Sequence, residues 1–305
     1  MPYSHLDESN GHKSFQLPGS RPHYNPDRPG QVEHIALDLV LDIPNSSFHG
    51  TCAIRLNPVR NTIESLTLDA VDLKIDRVEI DGTDCAFNYD GELLHIPVKV
   101  NVIAGKILDL VIHYGVENPQ RGMYFIHPDE HYPDKPTQVW TQGEDEDSRF
   151  WFPCFDYPGQ LATSAIRVQV PKDFVAISNG ELVEQTMFGE DRVYQWMQKE
   201  IHPTYLMTLA VGRFSEIADS WNGKPVTYYV EKGLEESAKL SMGKTPQMIE
   251  FFSEKFGYPY PFPKYAQVCV ADFIFGGMEN TSTTLLMDRC LLDERASLDN
   301  FNTES

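Results

Sequence analysis

No stretch of this 305-residue sequence is long and apolar enough to span a bilayer, and its N-terminus has no apolar signal core. The polar, Pro-rich opening over residues 1–31 reads as an extended arm on a cytoplasmic protein. Basic residues are scarce: 25 Lys and Arg stand against 45 Asp and Glu, a net charge of -20. Nucleic acid and anionic membrane are therefore excluded as expected partners, because phosphate binding needs a basic surface. The same acidity permits a cationic amine. Cysteine is sparse and odd in number, five residues with no CxxC pair. That excludes a disulfide or zinc–thiolate framework and points to free thiols in a reducing compartment.

Catalytic signatures are absent as well. There is no HExxH, no GxSxG, no GxGxxG and no phosphate-binding GxxxxGK[ST]. One HxxEH string occurs, from His127 to His131. A zinc site of that type needs both histidines on one face of a helix. This string follows a strand-like run and precedes YPDKP, so a helix cannot form and a surface turn is expected. The histidines at His34, His49, His95, His113 and His202 sit singly in strand-like runs.

What is present is a series of short alternating segments. HIALDLVLDI (34–43), FHGTCAIRL (48–56), SLTLDAV (65–71), LKIDRVEI (73–80), ELLHIPV (92–98) and KILDLVIHY (106–114) read as strands. So do ATSAIRVQVP (162–171), FVAISNGEL (174–182) and RVYQWM (192–197). Asp81-Gly82 and Asp90-Gly91 are turn signals between such runs. The expected fold class is mainly β, with an antiparallel sheet or sandwich domain over residues 32–211. From residue 212 to 305 the texture becomes mixed α/β and incomplete. LEESAKLSMG (234–243) is helix-like. Thr245 reads as an N-cap before Pro246, Met248, Ile249, Phe252 and Phe256 share a helical face, and Gly257 reads as a stop.

Two stretches carry chemistry. In TQGEDEDSRFWFPCFDYPG (141–159), Gln142 and Glu144 alternate at a strand end and face the same side, with the aromatic run RFWFPCF anchoring the loop. A rigidly held carboxylate suits an ammonium group. In FIFGGMENTSTT (273–284), Gly276 and Gly277 interrupt a strand-like run just before Met278, Glu279 and Asn280. Glycines at such a place serve either a bulge or the close approach of another backbone. In the second case a peptide pairs with this edge as an added strand, and Glu279 meets its free α-ammonium.

Taken together, TQGE, WFPCFDYP, YPYPFPKY and GGMEN, in that order, resemble the zinc aminopeptidases of the gluzincin clan, the family of aminopeptidase N and leukotriene hydrolase. The resemblance covers nearly the whole chain from about Val32. It implies a saddle-like N-terminal β domain followed by the start of a thermolysin-like catalytic domain. It implies that Glu279 binds the substrate's α-amino group, that Gly276, Gly277 and Met278 line the peptide backbone, and that Gln142 and Glu144 reach into the same site. Asn280 is expected to shape the loop. The Glu144 match favours a plain aminopeptidase over the leukotriene branch and its epoxide hydrolase chemistry, although the GG pair also occurs in that branch. The expected cofactor is zinc, and the expected partners are peptides with a free N-terminus. In the family, HExxH follows the GxMEN motif by a few tens of residues, and here Ser305 comes first. The zinc ligands are therefore expected beyond Ser305, the chain is expected to be an N-terminal fragment, and the isolated chain is expected to be inactive. A scaffold or peptide-binding protein that keeps the fold without catalysis is the alternative.

Overall fold

The computed structural model describes residues 28–298. The expected N-terminal arm therefore lies outside the described residues, apart from its last four. Four sheets organise the chain. The largest has eight strands, in the order Glu181–Phe188, Asp191–Pro203, Leu161–Pro171, Gly30–Asp42, Ser47–Pro58, Leu108–Glu117, Lys74–Ile80 and Thr83–Cys85. Alternation explains the strands. In Gly30–Asp42, Ile35, Leu37, Leu39 and Leu41 are buried while Ala36, Asp38 and Val40 are partly exposed, the period of two that a half-covered strand requires. The expected turn at Asp81-Gly82 forms, with both residues at positive φ (50° and 73°), as a tight right-twisted hairpin demands.

The structure is mainly β, and nearly all pairings in the large sheet are antiparallel. Gly30–Asp42 and Leu161–Pro171 pair in parallel. Parallel neighbours cannot be joined by a tight turn, and more than a hundred residues of other strands intervene.

A three-stranded sheet (Ser65–Asp69, Leu93–Pro97, Asn88–Tyr89) and a four-stranded sheet (Val175–Ser178, Leu209–Gly212, Gln138–Thr141, Met123–Ile126) pack into the same apolar core. The run 174–182, expected as one strand, splits between two sheets at Asn179-Gly180. Gly180 has φ +77°, and a Cβ there would stand 1.9 Å from the Met197 carbonyl oxygen, so the chain turns where only glycine fits.

From Phe214 the chain builds a five-stranded sheet, ordered Phe214–Trp221, Lys224–Glu231, Tyr265–Val270, Thr283–Met287 and Gly277–Met278. Two helices, α1 (Glu235–Met242) and α2 (Thr245–Phe256), form the crossover between its second and third strands, which run parallel. Gly257 ends α2 in the left-handed conformation, as the sequence predicts. Thr245 is not the N-cap: Lys244 occupies that position. The single proton of the Thr245 hydroxyl is shared between the Met242 carbonyl (2.7 Å) and the Gln267 amide oxygen (2.8 Å), so the side chain does not cap the helix. Of the apolar face expected on α2, Ile249 packs on a second cluster around Trp221 and Tyr228, while Met248, Phe252 and Phe256 are exposed. The other face of the sheet joins the main core through Ala266, Val268, Val270, Met278 and Leu285. Among the described residues no helix is long and apolar enough to cross a membrane.

Candidate functional site

The Gly-Gly segment lies at the edge of the five-stranded sheet. Gly277 and Met278 form a two-residue strand that pairs antiparallel with Leu286 and Leu285, and Met287 N donates to Gly276 O at 3.0 Å. Among the described residues this short strand has a neighbour on one side only. Gly276 and Gly277 are exposed, and a Cβ built on Gly276 would meet nothing within 4 Å. The surface beside Gly276 is thus open backbone, the feature a pairing strand needs.

Met278 points the other way and is buried at 1% exposure. Its thioether accepts a hydrogen bond from Gln142 Nε2 at 3.3 Å, linking residues 136 positions apart. The two predicted stretches therefore meet. Glu279 returns to the surface, and Asn280 is buried, its carbonyl accepting from Thr283 N at 3.1 Å to close the turn. Gln142 Oε1 and Asn280 Nδ2 are buried without a hydrogen-bond partner among the described residues.

The strand Gln138–Thr141 stops one residue short of Gln142, so Gln142 and Glu144 do not alternate along a strand. Gln142 N bonds Gly122 O, and Asp147 N bonds Gly143 O, so the chain turns at once after Thr141. Gln142 is buried by this turn and Glu144 is exposed on it. Within the acidic run two members are held by arginine. Asp147 takes a forked contact from Arg121 at 2.7 and 3.2 Å, and Glu146 pairs with Arg149 at 2.9 Å. The carboxylates of Glu144 and Glu279 have no ion pair among the described residues. The aromatic anchor is present: Trp151 and Phe152 are fully buried in edge contact, and Tyr114 OH donates to Trp151 O.

The turn after Asn280 is fastened to the large β unit by residues whose role the sequence did not reveal. Asn179 Nδ2 donates to Thr281 O at 2.7 Å, and Gly180 N donates to Ser282 Oγ at 2.7 Å. Lys264, buried at 8% exposure, donates to Ser178 O (2.9 Å), Ser282 O (3.2 Å) and Thr283 Oγ1 (2.6 Å), with its ammonium 5.0 Å from the Trp196 ring centre. Burial pushes its pKa down from 10.5 to about 7. Farther along the seam, Trp140 Nε1 donates to Ala271 O, and Gln138 bridges Ala271 N and Glu231. The one local hint of Lys264 was a lysine directly before an apolar strand.

The string His127–His131 is not helical. His127 contacts Ser46 Oγ, and Asp129 caps the turn by accepting from His131 N and Tyr132 N. Among the described residues no group of three or more His, Cys, Asp or Glu is placed to hold a metal ion.

Residues 21–206 match the Peptidase M1 N-terminal domain, and residues 240–304 match the Peptidase family M1 domain. Among curated relatives, Aminopeptidase M1 of Arabidopsis thaliana is 29% identical over 272 residues, covering 84% of this chain and 30% of the relative. Leucyl aminopeptidase of Saccharolobus solfataricus is 29% identical over 238 residues, 77% of this chain and 29% of the relative. Tricorn protease-interacting factor F2 of Thermoplasma acidophilum is 29% identical over 217 residues, 71% of this chain and 26% of the relative. The chain thus spans less than a third of the length of these relatives.

Proposed function

This chain belongs to peptidase family M1, and from that premise we propose that the whole protein is a zinc-dependent aminopeptidase to which this chain contributes the part that binds the substrate's N-terminus. The observation that carries the reading is the Gln142–Met278 contact, which joins the TQGE turn to an open edge strand. In this reading an extended peptide lies along Gly276 and Gly277. Met278 holds the edge in place from behind, and the carboxylates of Glu279 and Glu144 receive the α-ammonium. Counting from a fixed ammonium sets which peptide bond is presented, so one residue is removed at a time. The described residues offer no ligand set for zinc. We place the division between the β unit and the peptidase unit near residue 212. The scattered free thiols support a reducing, cytoplasmic setting.

The test compares binding of Leu-Gly-Gly and its N-acetylated form to this chain by calorimetry. Acetylation removes the charge that the two carboxylates recognise. It is expected to weaken binding by about tenfold, and Glu279→Ala is expected to remove most of that difference. Equal affinity for both peptides refutes the ammonium clamp. In a protein of the relatives' full length, Glu279→Ala raises KM and lowers kcat together for an aminoacyl anilide, because a displaced ammonium misplaces the scissile bond. Binding without hydrolysis in the zinc-loaded full-length protein supports the scaffold alternative instead.

A further inference from the structure

Five cysteines scattered through the sequence give no sign of pairing, yet the fold brings two of them into contact. Cys269 lies on the strand Tyr265–Val270 and is buried at 2% exposure. Cys290 ends the short 3-10 turn Asp288–Cys290 and is half-buried. Their sulfurs stand 3.7 Å apart. The backbone already aligns them, because Cys269 pairs in register with Leu286, only four residues before Cys290. Among the described residues the other three thiols make no hydrogen bond to another thiol. Cys52 and Cys154 are buried and bonded to or enclosed by the core, and Cys85 donates to Val78 O.

We propose that Cys269 and Cys290 are a reversible oxidation site, closing to a disulfide under hydroperoxide. Cys290 is the attacking thiol because it is the one partly open to solvent. The hydrogen bond from Cys269 also lowers the Cys290 pKa below the ordinary thiol value and favours its thiolate, although burial opposes this. Its sulfur attacks one oxygen of hydrogen peroxide, the O–O bond breaks, and hydroxide leaves as water with the thiol proton. The Cys290 sulfenic acid then meets the Cys269 thiol beside it. The S–S bond forms, the S–O bond breaks, and hydroxide leaves as a second water with the Cys269 proton. Two thiols and one peroxide thus give one disulfide and two waters. The sulfurs close from 3.7 Å to about 2.05 Å, a movement taken up by the short turn carrying Cys290.

The ring so formed encloses the whole segment from Phe273 to Thr284, including Gly276, Gly277, Met278 and Glu279. Oxidation therefore ties both ends of the edge-strand segment to the sheet beneath it. This site stands independently of the aminopeptidase reading, since it concerns only the thiols of this chain.

The experiment treats the folded chain with a small excess of hydrogen peroxide, blocks remaining thiols with N-ethylmaleimide, and digests with trypsin without reductant. Cleavage after Lys264, Arg289 and Arg295 puts Cys269 in peptide 265–289 and Cys290 in peptide 290–295. The expected result is a cross-link between these two peptides, loss of two of the five thiols, and full recovery on adding dithiothreitol. In Cys290→Ser the cross-link disappears and Cys269 stays reduced. In Cys269→Ser, Cys290 proceeds to the sulfinic acid. Five thiols still titrating after treatment, or Cys290 oxidised to sulfinic acid while Cys269 remains free in the unsubstituted chain, overturns the proposal.

Discussion

Replacing Lys264 with methionine separates a buried charge from the packing of the stem that carries it. The ammonium is buried and has no carboxylate partner among the described residues; it donates to two carbonyls and a hydroxyl and faces Trp196. Removing it strands neither carbonyl. Ser282 O also accepts from Ala266 N, and Ser178 O also accepts from Thr283 Oγ1. Methionine keeps the length of the stem. The loss of hydrogen bonds is thus offset by the end of a desolvation cost, and Lys264→Met is expected to lie within about 1 kcal/mol of the parent at pH 7. The larger effect is on pH dependence. The folded-state pKa is depressed to about 7 against an ordinary 10.5, so between these values the unfolded chain binds the proton that the folded chain releases. Stability from this group therefore rises with pH across that window, by up to about 1.4 kcal/mol per unit. Below about 7 both states hold the proton and its contribution is flat. The oxygen acceptors and the Trp196 face favour the ammonium and shrink the rise. Urea unfolding of both proteins at pH 7, 8 and 9, followed by subtraction, cancels every other titrating group. A parent that gains stability with pH relative to Lys264→Met is the expected outcome. Parallel curves refute the reasoning, and so does a variant several kcal/mol less stable at pH 7.

Gly276→Ala places a methyl in open space at a position without positive φ, so unfolding free energy changes by no more than about 0.5 kcal/mol. The same methyl obstructs the proposed peptide path, so affinity for Leu-Gly-Gly falls; an unchanged affinity removes Gly276 from that path. Trp140→Ala empties a fully buried site stacked on Tyr124 at 4.3 Å and deprives Ala271 O of its donor. It is expected to cost about 3–5 kcal/mol in denaturant unfolding, and a loss under 1 kcal/mol contradicts the packing described.

The residues on the two faces of Gly30–Asp42 were legible in the sequence because a strand's side chains alternate by covalent geometry, and no partner is needed to read that period. Asp81-Gly82 and Gly257 were legible for the same local reason: positive φ selects few residue types. The two stretches that meet at the candidate site were visible as motifs, but their meeting was not. Gln142 and Met278 lie 136 residues apart, and nothing local to either specifies the other. The turn that buries Gln142 and leaves Glu144 exposed depends on the carbonyl of Gly122, a residue of the preceding hairpin. The break at Asn179-Gly180 depends on Met197 O, supplied by a different strand. Lys264 looks like any surface lysine until Ser178, Ser282 and Thr283 enclose it, and Cys269 and Cys290 look unrelated until parallel pairing sets the strand of Cys269 beside the strand that leads into the turn of Cys290. Periodicity and turn chemistry are properties of neighbours along the chain, so the sequence determined most strands, their faces and the ends that a local turn such as Asp81-Gly82 or Gly257 sets. Burial, partnership and the pKa of a group are set by atoms far away in sequence, so only the tertiary structure decided which of these residues touch.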